Sequence, residues 1–301
     1  GCLKGKENVK SILKLIAERG AGDVFVVSAL SGVTDMLIEG AAAALADEGK
    51  IPVIIDRLKD EHLTVARHVI EDGVKFKEFN HFLNKTMDQL ARWFYGLNFT
   101  REFSPRLRDV ISCQGEVLSA RLLAMALESM GLSAESRDPQ EIGIVSDGRF
   151  GDATANMKMT SQNLQQNLKP ILKPDMYMFI PGFYGVSEDG DITTFGRGGS
   201  DYSAAVVAVT LEAEILETWK DVAGFMSADP KFVPEARLIP DLSYEEAAEL
   251  AYFGAKILHP RTIEPLRQTG LNIAIKNTHD PDAPGTLITA KSVKQIGRAQ
   301  V

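Results

Sequence analysis

Between Thr193 and Ala205 the chain reads TTFGRGGSDYSAA, and an apolar helical stretch follows at once through Val209. Glycines at 196, 198 and 199 permit backbone conformations with φ > 0 and remove side-chain bulk, while Ser200 and Asp201 are residue types favoured at helix N-caps. A backbone of this kind can approach an anionic ligand closely and present it to a helix N-terminus. An ordinary glycine turn needs neither three glycines nor a guanidinium within six positions.

A second small-residue loop repeats this logic earlier in the chain. Val24 to Val27 is a short continuous apolar run, which predicts a buried parallel strand. It ends in Ser28-Ala29-Leu30-Ser31-Gly32-Val33-Thr34-Asp35, and an alanine-rich helix is predicted from about 34 to 48. Two strand-to-helix loops point to one ligand site at the C-terminal edge of a mainly parallel sheet. Further strands are predicted over 176–180, stopped by Pro181-Gly182, over 213–219, and over 272–276, with helices over 202–211, 243–253 and 262–268. Strands alternating with helices give an α/β fold with helices on both faces. From about 55 to 97 the periodicity is helical without strands, a helical excursion suited to partner-substrate or dimer contacts. Ser104-Pro105 then has the form of a helix start, and a helix from about Glu116 to Met130 closes on Gly131.

The 33 basic residues are outnumbered by 41 acidic ones, a formal net charge of −8, which argues against nucleic acid as the main partner. A local basic pocket for a small anion remains compatible with that balance. Cys2 and Cys113 are too few and too far apart for a disulfide framework or a zinc site, and reduced thiols in a cytoplasm are expected. No uninterrupted apolar run approaches the ~20 residues of a membrane span, so no membrane partner is expected. No secretory signal is read in the opening residues either.

Several separated segments, in order, resemble the catalytic domain of aspartokinases, within the amino acid kinase fold. They are VVSALSGVTD (26–35), the Gly115-Glu116 pair, TTFGRGGSDYSAA (193–205), WKDVAGFMSADP (219–230) and YFGAKILHPRTIEPL (252–266), followed by IKNT and PGTLI. The resemblance implies a three-layer α/β/α sandwich with a mainly parallel central sheet, one catalytic domain over 1–301 carrying the helical insertion at about 55–110. It also implies transfer of the ATP γ-phosphate to the side-chain carboxylate of L-aspartate, with Mg²⁺ accompanying ATP and a homodimeric assembly. A carboxylate is already ionised at neutral pH, so the task is to gather mutually repelling anions rather than to remove a proton.

By the same resemblance Arg197 grips the substrate α-carboxylate, a role suited to a planar bidentate donor. Glu116 meets the substrate ammonium, Ser28 and Thr34 lie near aspartate, and Asp201 organises the phosphoryl-transfer centre together with Ser200. On the nucleotide side stand Lys220, Asp221, Met226, Lys231 and Lys256. Lys231 occupies a position where arginine is common in the family and Met226 one where an aromatic is frequent. Trp219 is expected to be core packing and His259 a structural residue at a helix end.

Two departures from the family are visible. Its first strand ends in a Lys-Phe-Gly-Gly signature that is absent here, and GKENVK from Gly5 looks like the helix that should follow it. Aspartokinases also carry two regulatory ACT modules after the catalytic domain, and the sequence ends at Val301, about where they should begin. Competing readings are a non-catalytic ligand-binding subunit of the same fold, favoured if that lysine is truly lacking, and a sibling kinase acting on N-acetylglutamate, glutamate or a nucleoside monophosphate.

Overall fold

The computed structural model describes residues 2–228, 232–233, 235–252 and 257–290. The chain falls into two compact units, Gly1–Ser200 and Asp201–Val301.

The first unit opens with α1 (Gly5–Arg19), β1 (Val24–Val27) and α2 (Val33–Ala46), then the long helices α3 (Ile51–Val69) and α4 (Gly73–Thr100). It continues through α5 (Pro105–Ser112), α6 (Gln114–Ser129), β2 (Ser133–Ser136), α7 (Pro139–Ile142), β3 (Val145–Ser146) and α8 (Met157–Asn167). β4 (Met176–Pro181), β5 (Tyr184–Ser187) and β6 (Ile192–Thr194) complete it, and α9 (Gly199–Thr210) leads onward. In the second unit lie β7 (Leu216–Lys220), β8 (Asp241–Ser243), α10 (Tyr244–Tyr252), α11 (Glu264–Arg267), β9 (Ile273–Asn277) and β10 (Thr286–Thr289).

The α/β class and mainly parallel pairing follow expectation, and the strands run in three ladders. β4 stands between β1 and β2, parallel to both, with Val24 opposite Met178 and Ser133 opposite Met176. β5 pairs parallel with β3 and antiparallel with β6. In the second unit the order is β7-β9-β10-β8, with only β9 and β10 antiparallel.

The core of the first unit sits between the β1-β4-β2 sheet and helices α1 to α6. Phe25 stacks on Phe179 and Tyr177, at centroid separations of 5.2 and 6.4 Å, fastening β1 to β4 through side chains as well as the ladder. The stretch expected to be helical from about 55 to 97 is made of α3 and α4. Asp72 caps α4 by accepting from the Val74 and Lys75 N–H groups. Phe79, Leu83, Met87, Leu90, Phe94 and Leu97 recur at three- and four-residue intervals and are all buried. Ser104 caps α5 with Pro105 in its first turn, as the sequence predicts.

The run Pro105–Ser129 is long and apolar enough, by length and composition, to cross a membrane, and it is largely buried as a core helix of the first unit. It is not an uninterrupted apolar run, since Arg106, Arg108, Asp109, Glu116 and Arg121 break it, and its high mean hydropathy reflects the face it buries in the fold. Two other expectations shift. β7 begins at Leu216, not 213, because Glu212 in the left-handed region (φ 57) ends the preceding helix with a turn. The helix expected over 262–268 begins as a 3₁₀ turn at Pro260–Ile263, whose Arg261 N–H is accepted by the His259 ring, in keeping with a structural role for His259.

Candidate active site

β1 ends at Val27, whose carbonyl accepts the Gly182 N–H at 2.9 Å, so the strand ends of β1 and β4 lie side by side. Ser28 follows directly and is half-buried. The loop turns at Gly32, in the left-handed region (φ 85), and α2 begins at Val33 with half-buried Thr34 in its first turn. Gly115 allows α6 to press its N-terminus onto this loop, since a Cβ there would stand 2.7 Å from Ala29 Cβ and 3.1 Å from Val33 Cγ1. That contact brings Ser28, Thr34 and Glu116 into one neighbourhood.

Glu116 is 4% exposed, in the first turn of α6. Burial pushes its carboxyl from the ordinary 4.5 up to about 8, opposed by hydrogen bonds from the backbone N–H groups of Ala29 and of Glu116 itself. Its Oε2 has no hydrogen-bond partner among the described residues. A buried, unsatisfied carboxyl oxygen is costly and is expected where a ligand completes the site.

The glycine loop closes over the same strand ends. Gly196 and Gly198 adopt φ 71 and 69, and α9 starts at Gly199. Ser200 and Asp201 therefore lie in the first turn of α9 and are not its caps, because the left-handed glycines already make the turn. Gly199 serves by lacking bulk, since its Cβ would stand 2.7 Å from Phe183 Cδ2. Ser200 packs on Gly182, where a Cβ would meet Ser200 Cβ at 2.9 Å and Val26 Cγ1 at 3.1 Å. Arg197 is exposed on the loop and makes no ion pair among the described residues.

In the second unit, Lys220 at the end of β7 donates to both carboxylate oxygens of Asp201, at 2.9 and 2.8 Å. Asp221 follows and is exposed, while half-buried Met226 forms an isolated bridge with Leu238. Lys231 and Lys256 lie outside the described residues.

Two residues escaped the sequence reading. Phe183 sits in the left-handed region (φ 78), a strained conformation for an aromatic residue, with its carbonyl accepting the Phe195 N–H at 2.8 Å and its ring against Gly199. The adjacent Pro181-Gly182 break was its only sequence trace. Asp109 is 1% exposed and accepts hydrogen bonds from the Gly151 N–H (2.8 Å), the Thr194 N–H (2.8 Å) and the Thr194 hydroxyl (3.0 Å). Nothing in its neighbours along the chain marks it.

Among the described residues of the first unit, Glu116 is a buried acid with no cation partner and Arg197 an exposed cation with no anion partner, each on a segment near the C-terminal edge of parallel strands. The curated relatives include the bifunctional aspartokinase/homoserine dehydrogenase of Haemophilus influenzae, 32% identical over 280 residues, 91% of this chain and 33% of that protein. Aspartokinase 2, chloroplastic, of Arabidopsis thaliana is 32% identical over 296 residues, 94% of this chain and 51% of that protein. The chain therefore spans about half or less of the length of these relatives. Among solved structures, E. coli aspartokinase III in complex with aspartate and ADP is similar at a TM-score of 0.86 and 27% identity, covering 96% of this chain and 63% of that one. With the model of the amino acid kinase family matching residues 2–277, nearly the whole described fold, the chain belongs to that family.

Proposed function

We propose that this chain is the catalytic portion of an aspartokinase, which transfers the γ-phosphoryl group of ATP to the side-chain carboxylate of L-aspartate. The observation that carries the reading is Glu116: a carboxyl held in the fold with one oxygen unpartnered and its ionisation suppressed by burial. An incoming ammonium would restore that ionisation and occupy the free oxygen. N-acetylglutamate and nucleoside monophosphates bring no such ammonium, which favours a free amino acid as acceptor. Arg197 is the proposed partner of the α-carboxylate, with Ser28 and Thr34 beside it.

An oxygen of the substrate side-chain carboxylate attacks the γ-phosphorus, and the bond from that phosphorus to the β,γ-bridging oxygen breaks, its electron pair leaving with ADP. No general base is required. The chain's work is to position and to neutralise: the Gly199 and Ser200 end of α9 directs its positive dipole at developing charge, and Lys220, held by Asp201, supplies a cation on the nucleotide side. Mg²⁺ belongs to the proposal as the ion that would arrive with ATP and neutralise charge on its phosphates. Nucleotide contacts from Asp221, Met226, Lys231 and Lys256, a cytoplasmic homodimer and a first step towards lysine, threonine and methionine belong to the same proposal.

Incubation with Mg-ATP and L-aspartate in hydroxylamine traps an acyl phosphate as its hydroxamate. Hydroxamate that depends on aspartate, and is absent with glutamate and N-acetylglutamate, is the expected result. Equal product from N-acetylglutamate would overturn the role given to Glu116.

A further inference from the structure

α5 and α6 run on as one helical stretch, Pro105–Ser129, although Cys113 separates them. The backbone ladder crosses the junction, with the Cys113 N–H donating to the Asp109 carbonyl at 3.2 Å and the Val117 N–H to the Cys113 carbonyl at 3.3 Å. Glu116 stands in the first turn of α6 and Asp109 two turns upstream in α5. The Asp109 carboxylate is turned towards a different part of the unit. One oxygen accepts the backbone N–H groups of both Gly151 and Thr194, and the other accepts the Thr194 hydroxyl.

Those two backbone positions belong to segments that touch each other. Thr194 ends β6, three residues before Arg197. Gly151 lies in the turn between β3 and α8, and its carbonyl would stand 3.0 Å from a Cβ at Gly196. One buried carboxylate therefore holds both sides of the glycine loop's entrance. A second, exposed contact ties the same helix to the same strand pair, because Arg106 pairs with Asp191 at the turn between β5 and β6.

We propose that Asp109 is a positioning residue: by tying Gly151 and Thr194 to the helix that carries Glu116, it fixes the distance between Glu116 and Arg197, and with it the span offered to an amino acid's ammonium and α-carboxylate. The proposal rests on the aspartokinase reading for the identity of that ligand, while the mechanical link itself does not. The position suits a short side chain with two polar atoms, because three donors converge on it from two segments, and a carboxylate accepts all three with charge-assisted bonds. The exposed Arg106–Asp191 pair is open to solvent screening and contributes little to this constraint.

The test compares Asp109→Ala, Asp109→Asn, Thr194→Val and Arg106→Ala in the full chain. Asp109→Ala is expected to raise KM for aspartate by about tenfold or more while KM for ATP stays within about twofold, since a misplaced clamp affects the ligand it grips. Asp109→Asn restores most of the loss, because its amide oxygen can still accept both backbone N–H groups and its NH₂ can donate to the Thr194 oxygen. Thr194→Val, which removes one bond without threatening the fold, is expected to raise KM for aspartate about threefold. Arg106→Ala leaves both constants unchanged. A lowered Tm with both KM values unmoved in Asp109→Ala and Thr194→Val would reduce Asp109 to a structural residue and overturn the proposal.

Amide hydrogen exchange separates this failure from failure of the functional reading. Residues 194–199 should exchange about tenfold faster in Asp109→Ala or Thr194→Val than in the parent, with β1 unchanged. Unchanged exchange at 194–199 sinks the positional link whatever the substrate. Wild-type protein that forms no aspartyl hydroxamate, with accelerated loop exchange in the variants, sinks only the aspartate reading.

Discussion

Replacing Glu116 by Gln should make the unliganded protein more stable at neutral pH while removing its grip on aspartate. In the unfolded chain the carboxyl titrates at its ordinary 4.5, and in the fold burial raises this to about 8. A group whose folded pKa is raised contributes its stability in full below the unfolded value and loses it as pH climbs to the folded one. At 1.36 kcal/mol per pH unit, the interval from 4.5 to 7 corresponds to about 3 kcal/mol lost from the wild type, growing to about 5 kcal/mol above pH 8. Glutamine is neutral throughout and similar in shape to the protonated acid, so it escapes this loss. Urea unfolding at pH 5, 7 and 8.5 reads the difference: the two proteins nearly equal at pH 5, and the variant ahead by a few kcal/mol at pH 8.5. Parallel curves across this range would refute the burial account. The same linkage predicts that aspartate binding at pH 7 releases a proton from Glu116 as the ammonium arrives. Titration calorimetry in two buffers of different ionisation enthalpy should detect up to one proton in the wild type and none in Glu116→Gln.

Arg197→Ala is expected to raise KM for aspartate by about 30-fold or more, from the 2 to 4 kcal/mol of a lost charge-assisted bidentate contact, with little change for ATP; equal effects on both substrates would remove Arg197 from the α-carboxylate. Lys220→Ala leaves Asp201 without its cation, and kinetics should show the loss mainly in KM for ATP and in kcat; a change confined to aspartate would reverse the assignment. Gly182→Ala places a methyl group 3.0 Å from Ser200 Cα, and thermal unfolding should register a destabilisation of about 1 to 3 kcal/mol; an unchanged Tm would show that the strand end has room to yield.

What could be read in the sequence was local. The glycine loop, the VFVV strand and the Ser104-Pro105 helix start each depend on a few consecutive residues, and the structure has all three, although Ser200 and Asp201 lie inside α9 and do not cap it, and Val24 to Val26 are half-buried. β2 went unseen because Ser-Ala-Glu-Ser at a sheet edge needs no apolar run, and β6 because Ile-Thr-Thr is too short to show alternation. Glu116 entered the site through family resemblance, yet its burial and unpartnered oxygen arise from α6 meeting the Ala29 loop, which no spacing reveals. Asp109 and Phe183 are the clearest cases: one acts through hydrogen bonds to residues 42 and 85 positions away, the other through a backbone conformation its side chain disfavours.

The pairing of β1 with β4 has a consequence for the order in which the chain assembles. Val24 must find Met178, across about 150 residues, before the central strand of the sheet has a partner on that side. Much of that interval is α3, α4, α5 and α6, whose contacts with one another are comparatively close in sequence. Helical contacts of that kind form quickly, whereas a distant parallel pairing closes slowly. The helices are thus the platform that forms early on the ribosome or after dilution from denaturant, and the strand ends beside the candidate site are among the last parts to be completed. A chain caught midway would present a finished helical body with the Phe25 and Phe179 strand edges still open, the state in which a chaperone or a neighbouring nascent chain would find it.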